Sequence, residues 1–380
     1  MRIALLGPAH PLRGGIAQYT ASLYGELERR HQVRIFSFRK LYPRLLFPGS
    51  SELDRSPSAW RVPSVRILRP LRPRSWAAAA RRVAAWEPEL LVFQWWHPFF
   101  GPAYADLIRR FRKRSAAVIL FLCHNVFPHE RMGSRVLEKM LVRMAFRRVD
   151  GFLVQSQGLA RQVRELRPAA PVRRVHHPAY SFYRRWDSET SRPGGKPSIL
   201  FFGNIRAYKG LDVLIEAFAR VRKELEAELV VAGEFYSDPR PLKERVRALG
   251  LDGDVRWTGA YVPNREVPSL FRRAHVVALP YRSATQSGIV PLAYQFGVPV
   301  IASDVGGLSE VVLDGRTGLL FPPGDSERLA SLLVDYFRRN LRPRFQPHIL
   351  EFNRKLGWDR VAGPILELAR SLGAKEGGEV

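Results

Sequence analysis

Cysteine is nearly absent from this 380-residue chain, since Cys123 is its only one. One cysteine cannot form an internal disulfide, so the chain carries no mark of an oxidising compartment and the cytoplasm is its expected location. Long apolar runs are also missing, and the best of them, residues 116–123, is far shorter than the roughly 20 residues of a membrane-spanning helix. The short run Ile3–Leu6 is followed by Pro8, which favours a buried first strand over a signal peptide. Any membrane contact is therefore expected to be peripheral.

Acidic residues are few: 35 Asp and Glu stand against 61 Lys and Arg, which gives a formal net charge of +26. Such an excess indicates a nucleic acid, an anionic membrane or a phosphorylated substrate as partner, or it reflects composition alone through coding bias or thermal adaptation. The chain has no zinc-finger, RRM or helix-turn-helix signature, so no nucleic-acid partner is expected. Charge alone leaves the other interpretations open.

Apolar residues make up 46% of the chain, which excludes a disordered composition. The length favours two domains of roughly 150 to 200 residues each. Short apolar runs alternate with helical patterns in both halves, which predicts an α/β fold with two Rossmann-like, doubly wound parallel sheets. The predicted strands are Ile3–Leu6, Val33–Phe36, Leu90–Phe93, Val118–Leu122, Phe152–Val154, Ser198–Phe202, Leu229–Ala232, Val255–Thr258, Val276–Leu279 and Val298–Ile301.

An irregular polar stretch over residues 180–197 has the composition of a linker. It separates a predicted N-terminal domain, residues 1–185, from a predicted C-terminal domain, residues 196–350. A final segment, residues 351–380, contains an apolar-periodic helix over Trp358–Leu372.

Ligands of open parallel sheets bind beyond the carboxyl ends of the strands, so the first strand-to-helix turn of each half is a candidate site. In the first half this turn contains Gly14 and Gly15, whose missing Cβ atoms let backbone amides approach an anion closely. A Gly-Gly pair alone is a weak signal, and a plain structural turn is the favoured alternative.

In the second half the corresponding turn places two cations, Arg206 and Lys209, directly before a helix. Cations at that end oppose the helix dipole, so they cost stability unless an anion lies between them and the free amides. A pyrophosphate satisfies both cations, whereas solvated loop charges are the plain alternative. Gly203 and Asn204 lie in the same turn and belong to the predicted phosphate site.

A third element is the small polar loop that runs into a helix before the strand Val298–Ile301. Its amides and hydroxyls can bind phosphate oxygens. The predicted phosphate-binding residues of this loop are Thr285, Gln286, Ser287, Gly288 and Ile289.

The stretches Phe201–Asp212 and Thr285–Asp325 resemble the donor domain of the retaining GT-B glycosyltransferases of family 4. The glycine pair, the linker and the final helix also fall where that fold places them, so the resemblance covers nearly the whole chain. It implies an acceptor-binding N-terminal domain and a nucleotide-sugar donor domain that face a cleft, with the C-terminal helix returning to the N-terminal domain. It also implies transfer of a sugar from a UDP- or GDP-linked donor with retention of anomeric configuration.

The third element departs from that family, whose members commonly carry two glutamates eight residues apart there, the first beside the donor sugar and the second on the ribose. Counting back from Gly297 gives Ala284 and Leu292, and counting forward from Gly288 gives Thr285 and Ala293. The donor contacts must differ, and the loop of residues 285–288 is the expected replacement. No residue is assigned to the ribose. With no carboxylate beside the sugar, double displacement is disfavoured, and a front-face departure and attack is what the resemblance implies.

The turn after the first strand of the second half also departs from the family. The family's usual arginine is replaced by Asn204, so Arg206 is the expected substitute beside Lys209. These two cations are predicted to neutralise the departing nucleoside diphosphate, which makes them catalytic candidates.

Histidines end several predicted strands of the first half. His124 follows Val118–Leu122, and the resemblance matches it to a histidine that contacts the donor sugar; a packed structural histidine is the alternative. His176 and His177 are adjacent and face opposite ways on a strand, which makes them poor joint metal ligands. No metal and no cofactor is expected besides the nucleotide-sugar substrate.

Trp95, Trp96 and His97 end another predicted strand. They line an acceptor groove or pack in the interior, and the sequence does not separate these alternatives. The acceptor itself is open between a lipid-linked, a saccharide and a small-molecule compound.

Two basic clusters bear on the membrane question. Arg109–Arg114 is dense in cations, and in Arg135–Arg147 the cations recur every four residues beside apolar ones. Such a helix can lie on the anionic inner face of a membrane, or it can pack its apolar face on the sheet and leave its cations in solvent.

Two rival functions accompany the glycosyltransferase interpretation. A nucleotide-sugar epimerase uses the same two-lobed fold but should bring more carboxylates to its site. A non-catalytic protein that binds phosphate or nucleic acid is the other rival, because missing glutamates can mean lost activity.

Overall fold

The computed structural model describes residues 1–43, 51–130, 133–187 and 194–374. The chain divides into two compact units. The first comprises Met1–Pro178 and the residues from Gly357 onward, and the second comprises Ala179–Leu356. Each unit contains a parallel sheet with helices, which confirms the predicted α/β class with two Rossmann-like domains.

The first unit contains a seven-stranded sheet in the order β3-β2-β1-β4-β5-β6-β7. Its strands are β1 (Arg2–Leu6), β2 (Gln32–Phe38), β3 (Ser64–Leu68), β4 (Leu90–Trp95), β5 (Val118–Cys123), β6 (Gly151–Val154) and β7 (Val172–Arg174). The helices that follow them are α1 (Gly15–Leu27), α2 (Pro73–Ala84), α3 (Gly101–Phe111), α4 (Arg135–Phe146) and α5 (Gln157–Leu166). Every residue of β4 and β5 is buried, as expected for central parallel strands covered on both faces.

The second unit contains a six-stranded sheet in the order β10-β9-β8-β11-β12-β13. Its strands are β8 (Ser198–Phe202), β9 (Glu228–Ala232), β10 (Val255–Trp257), β11 (Val276–Leu279), β12 (Val300–Ser303) and β13 (Gly318–Phe321). Its helices are α6 (Leu211–Glu224), α7 (Arg240–Ala248), α8 (Val267–Arg273), α9 (Ile289–Gln295), α10 (Ser326–Arg338) and α11 (Arg342–Asn353). The strand order places β8 and β11 side by side at the point where the winding direction reverses.

The last described helix, α12 (Asp359–Ser371), belongs to the first unit. It packs against α1 and against the strands β5 and β6. Gly151 permits the close approach, because a Cβ there would lie 3.1 Å from a methyl carbon of Leu368.

The units meet in sequence at Pro178 and Leu356, not at the predicted limits of residues 185 and 350. Residues 179–187 are fixed to the second unit: the Ala179 amide donates to the Leu356 carbonyl at 3.0 Å, and Asp187 accepts two hydrogen bonds from Arg272 at 2.9 and 2.6 Å. These contacts explain why a polar stretch with linker composition belongs to a domain. Residues 188–193 of the predicted linker lie outside the described residues. Among the helices that are described, none is both long enough and apolar enough to span a bilayer.

Candidate functional site

The site of the second unit lies where β8 and β11 end. In a doubly wound sheet, ligands bind outside the carboxyl ends of the two strands at which the winding reverses. The loop that follows β8 contains residues 203–210, and the loop that follows β11 contains residues 280–288. The two segments predicted separately from the sequence therefore lie at the same position of one sheet.

Two glycines hold the loops of this edge together. Gly210 has a φ of 65°, and a Cβ there would lie 2.0 Å from the carbonyl oxygen of Pro280. Gly306 has a φ of 52°, and its Cβ would lie 1.6 Å from the carbonyl oxygen of Ala284. No other residue type combines a left-handed backbone with such close contact. The loops after β8, β11 and β12 consequently touch one another through their backbones.

Lys209 is the buried cation of this edge, with 9% of its surface exposed. Its Nζ lies 5.6 Å from the ring centroid of Tyr281 and 3.1 Å from the position that a Cβ of Gly203 would take. Burial, and then the charge of Arg206, lower the pKa of Lys209 to about 8. In the described part of the chain no carboxylate lies within ion-pair distance of this ammonium. A buried cation of this kind gains stability from any anion that reaches it.

Arg206 lies three residues before Lys209, with its guanidinium 4.6 Å above the ring of Tyr236. The acid that follows in sequence, Asp212, accepts two hydrogen bonds from Arg282 at 2.8 and 2.5 Å. Arg282 also donates to the carbonyl of Ala207 at 3.2 Å and so links the two loops.

The loop before α9 carries the polar groups that the sequence predicted. Ser287 is buried, and its hydroxyl accepts a hydrogen bond from the Ile289 amide at 3.2 Å, which fixes the entry into the helix. The Oε1 atom of Gln286 is buried and has no hydrogen-bond partner among the described residues. An unpaired buried acceptor costs about 1 to 3 kcal/mol, so Gln286 is suited to bind a group from outside the chain. Ile289 borders the same space, since its Cδ1 lies 3.7 Å from the Cβ position of Gly203.

Three features of this edge escaped the sequence analysis. Tyr236 and Tyr281 support the two cations, and Glu234 is a buried carboxyl in the loop after β9. The backbone carbonyl of Glu234 accepts from the Ile205 amide at 2.8 Å, which joins that loop to the one after β8. The only signal in the sequence was their position just beyond strand ends.

In the first unit, His124 follows β5 and is buried, with 4% of its surface exposed. Its Nε2 donates to Oε1 of Gln94 at 2.7 Å, and its ring meets Tyr19 edge to face at 4.8 Å between centroids. Burial, and then the neighbouring His177, lower the pKa of His124 to about 3. The imidazole is therefore neutral at physiological pH and acts through hydrogen bonds, not as a cation.

His177 belongs to the same aromatic cluster, 5.4 Å from Tyr19 between ring centroids, while Trp358 meets Tyr19 from α12 at 4.8 Å. Its Nδ1 donates to the carbonyl of Pro178 at 2.9 Å. Burial lowers the pKa of His177 to about 4. His176 and His177 come after β7 ends at Arg174, which corrects the expectation that they end the strand.

The glycine pair of the first unit lies at the start of α1. Gly14 precedes the helix with a φ of 112°, and the space around its Cβ position is open. Gly15 is the first helical residue. A turn of this geometry favours glycine with or without an anion, so the predicted contact to phosphate stays a prediction.

Trp95 is a core residue, which favours packing over an acceptor groove, the two alternatives that the sequence left open for it. Its side chain is fully buried and stacks on Phe121 at 5.7 Å between ring centroids. Trp96 is nearly as buried, and its Nε1 donates to the hydroxyl of Tyr42 at 2.9 Å. The His97 Nδ1 accepts from the Phe99 amide at 3.2 Å and caps the short 3-10 turn that follows β4. The packing alternative thus holds for the tryptophans.

Two family descriptions match this chain. "Glycosyltransferase Family 4" matches residues 13–179, and "Glycosyl transferases group 1" matches residues 196–338. A D-inositol 3-phosphate glycosyltransferase of Xylanimonas cellulosilytica is 33% identical over 183 residues, which are 46% of this chain and 42% of that protein. This chain spans about half of the length of the curated relatives that it matches.

Two solved structures share the fold. Sucrose-phosphate synthase from Thermosynechococcus elongatus superposes with a TM-score of 0.76 and 19% identity, over 98% of this chain and 100% of that one. The Anabaena protein Alr3699/HepE in complex with UDP-glucose superposes with a TM-score of 0.73 and 16% identity, over 97% and 99% of the two chains. Because the two family matches follow one another over most of the chain and both halves adopt this fold, the chain belongs to the group 1, family 4 glycosyltransferases of GT-B architecture.

Proposed function

We propose that this chain transfers a sugar from a nucleotide diphosphate donor and that Lys209 and Arg206 bind the diphosphate. The observation that carries the proposal is the buried ammonium of Lys209, which has no carboxylate beside it in the described chain and lies where β8 and β11 end. A diphosphate supplies the missing charge, and its oxygens can also accept from the amides of the loop before α9. Gln286 and Ser287 contribute polar groups to the same loop.

Relatives support the class of reaction. The Xylanimonas relative is a glycosyltransferase, and the Anabaena structure contains UDP-glucose. We take a UDP-linked sugar as the first donor to test and a GDP-linked sugar as the second.

The cations act on the leaving group. As the bond from the sugar to the diphosphate breaks, negative charge grows on the phosphate, and positive groups already in place stabilise it without reorganisation. The approach of a diphosphate raises the pKa of Lys209 from about 8, because an opposite charge favours the protonated form. Lys209 is then cationic throughout the reaction.

Retention of configuration is part of the proposal. The segment Tyr281–Ile289 carries no Asp or Glu, so this loop offers no carboxylate to form a covalent glycosyl intermediate. Departure and attack on one face of the sugar is the route that remains for a retaining enzyme with this loop. His124, neutral and already oriented by Gln94, contacts the donor sugar in this proposal as a hydrogen-bonding group.

A thermal-shift panel tests the proposal before any acceptor is known. UDP, GDP and ADP, their glucose conjugates and the free nucleosides are added to the full chain. A ligand at 100 times its dissociation constant stabilises the fold by about 2.7 kcal/mol, so one diphosphate should raise the melting temperature clearly above its nucleoside. If no diphosphate raises it more than the nucleoside does, the phosphate site is wrong. Release of the diphosphate from the best sugar conjugate, with and without candidate acceptors, then separates a transferase from a binding protein.

A further inference from the structure

Helix α4 is apolar on both sides. Val142, Ala145 and Phe146 face the core of the first unit. Six large apolar side chains are exposed in the described residues, and four of them lie on this helix: Val136, Leu137, Met140 and Met144, with 77, 46, 51 and 42% of their surfaces exposed. The helix therefore packs on the sheet without these four residues, which removes the simpler explanation that its apolar pattern serves only the core.

A row of cations runs beside the exposed apolar residues. Lys139, Arg143 and Arg147 are exposed, follow one another at intervals of four residues and share one side of the helix. None of the three has an ion-pair partner in the described chain. We call these three cations and the four exposed apolar residues the α4 face.

The other basic cluster, Arg109–Arg114, differs from α4 because several of its cations have ion-pair partners. Arg109 and Arg110 both pair with Asp106, and Arg112 pairs with Asp150. Two carboxylates thus offset two of the five cations of Arg109–Arg114. What distinguishes α4 from this cluster is the set of exposed apolar residues beside its cations.

A groove of about 500 Å³ runs between α3 and α4 along the α4 face. Met140 and Met144 contribute apolar walls, and Arg143, Arg147 and Arg148 contribute positive charge. The α3 side of the groove adds Asp106, which is paired with Arg109. A lipid offers the matching combination, an anionic phosphate next to a hydrocarbon chain.

We propose that the α4 face binds the surface of an anionic lipid bilayer, with α4 lying in the plane of the interface. The methionines and Val136 enter the boundary between head groups and acyl chains, and the three cations lie among the lipid phosphates. The positive charge of the α4 face disfavours a second copy of this chain as the partner. A two-fold contact would place the three cations of one copy against those of the other. This inference does not depend on the proposed reaction, since bilayer binding needs no donor.

Sedimentation with vesicles tests it on the full chain. Wild type should bind vesicles of phosphatidylcholine and phosphatidylserine more tightly than vesicles of phosphatidylcholine alone, and the difference should fall steeply as salt rises. Arg143→Gln with Arg147→Gln should weaken binding to the anionic vesicles about 25-fold, at roughly fivefold per cation. Met140→Gln with Met144→Gln should weaken it about tenfold at the same net charge.

A control pair of cations distinguishes binding through the α4 face from an effect of net charge alone. Lys243 and Arg247 are also exposed and four residues apart, but their helix, α7, has no exposed large apolar residue. Lys243→Gln with Arg247→Gln changes the net charge equally and should leave vesicle binding within about twofold, as should Leu350→Gln. Unchanged melting temperatures show that each variant folds.

Three results overturn the proposal: no preference of wild type for anionic vesicles at low salt, an equal loss in the α7 pair, or full binding by the methionine variant. A change of oligomeric state in the methionine variant, with vesicle binding intact, assigns the face to a second copy and likewise overturns it.

Discussion

The ammonium of Lys209 is buried with no carboxylate beside it among the described residues, and burial together with Arg206 lowers its pKa to about 8. A bound diphosphate raises that pKa, so the complex holds the proton to a higher pH than the free protein does. Affinity is therefore full below about pH 8 and falls, by up to about tenfold per pH unit, as the pH rises from that value toward the pKa of the complex.

Calorimetric titration with the donor at pH 7 and pH 9 measures the number of protons taken up on binding. Proton uptake on binding is expected at pH 9 and not at pH 7. Lys209→Arg stays charged at both values and should show no uptake. Uptake that persists in the arginine variant would show that another group titrates.

His124 makes a different prediction, because burial and His177 hold its pKa near 3. It cannot gain or lose a proton between pH 5 and pH 8, so no step in the pH profile of kcat over that range should belong to it. His124→Ala should lower kcat by about 10 to 100-fold, while the affinity for free nucleotide changes little because the proposed diphosphate contacts are on the second unit. Unchanged turnover would make His124 a packing residue.

The loops after β8 and β11 depend on glycine for their contact. Gly210 and Gly250 have nearly the same backbone, with φ of 65° and 68°, but only Gly210 lies against a carbonyl, that of Pro280. Gly250→Ala should cost about 1 kcal/mol through the left-handed backbone alone. Gly210→Ala adds a steric overlap and should cost about 2 to 4 kcal/mol in urea unfolding, together with weaker nucleotide binding. Equal costs for the two variants would mean that the loops do not need this contact.

The elements show how far the sequence predicts this fold. The central strands β4 and β5 are buried on both faces, so their sequences are nearly continuous apolar runs. Both strands were therefore predicted. The strands β3 and β7 lie at the two edges of their sheet, and because they are only partly buried no apolar run marks them. Periodicity is a weaker guide to such partly buried edge strands, although β10 at the edge of the other sheet was predicted.

The candidate site shows the same limit. Arg206, Lys209 and the loop before α9 were found because glycines and cations before a helix are local signals. The position of Trp95 at a strand end did not reveal that its ring faces the core, and the pattern of α4 did not reveal which apolar residues are buried. Both depend on what packs against the element, which is a tertiary property.

At the scale of the whole molecule, two parallel sheets and two successive family matches define a group 1, family 4 glycosyltransferase. In our proposal, a polar loop without Asp or Glu, Tyr281–Ile289, takes the place of the two glutamates that the family resemblance leads us to expect. We therefore expect binding of the donor to depend more heavily on Lys209 and Arg206 than on carboxylates. The central claim is that these cations bind the diphosphate.

Calorimetric titration of the nucleoside diphosphate that stabilises the chain most, and of its nucleoside, tests that claim most directly. Wild type and Lys209→Ala are compared, with Lys243→Ala as an exposed lysine control in the same unit. We expect Lys209→Ala to weaken the diphosphate roughly 10 to 150-fold, the nucleoside less than about twofold, and the control to resemble wild type. An equal loss for diphosphate and nucleoside, or no loss for either, would contradict the account.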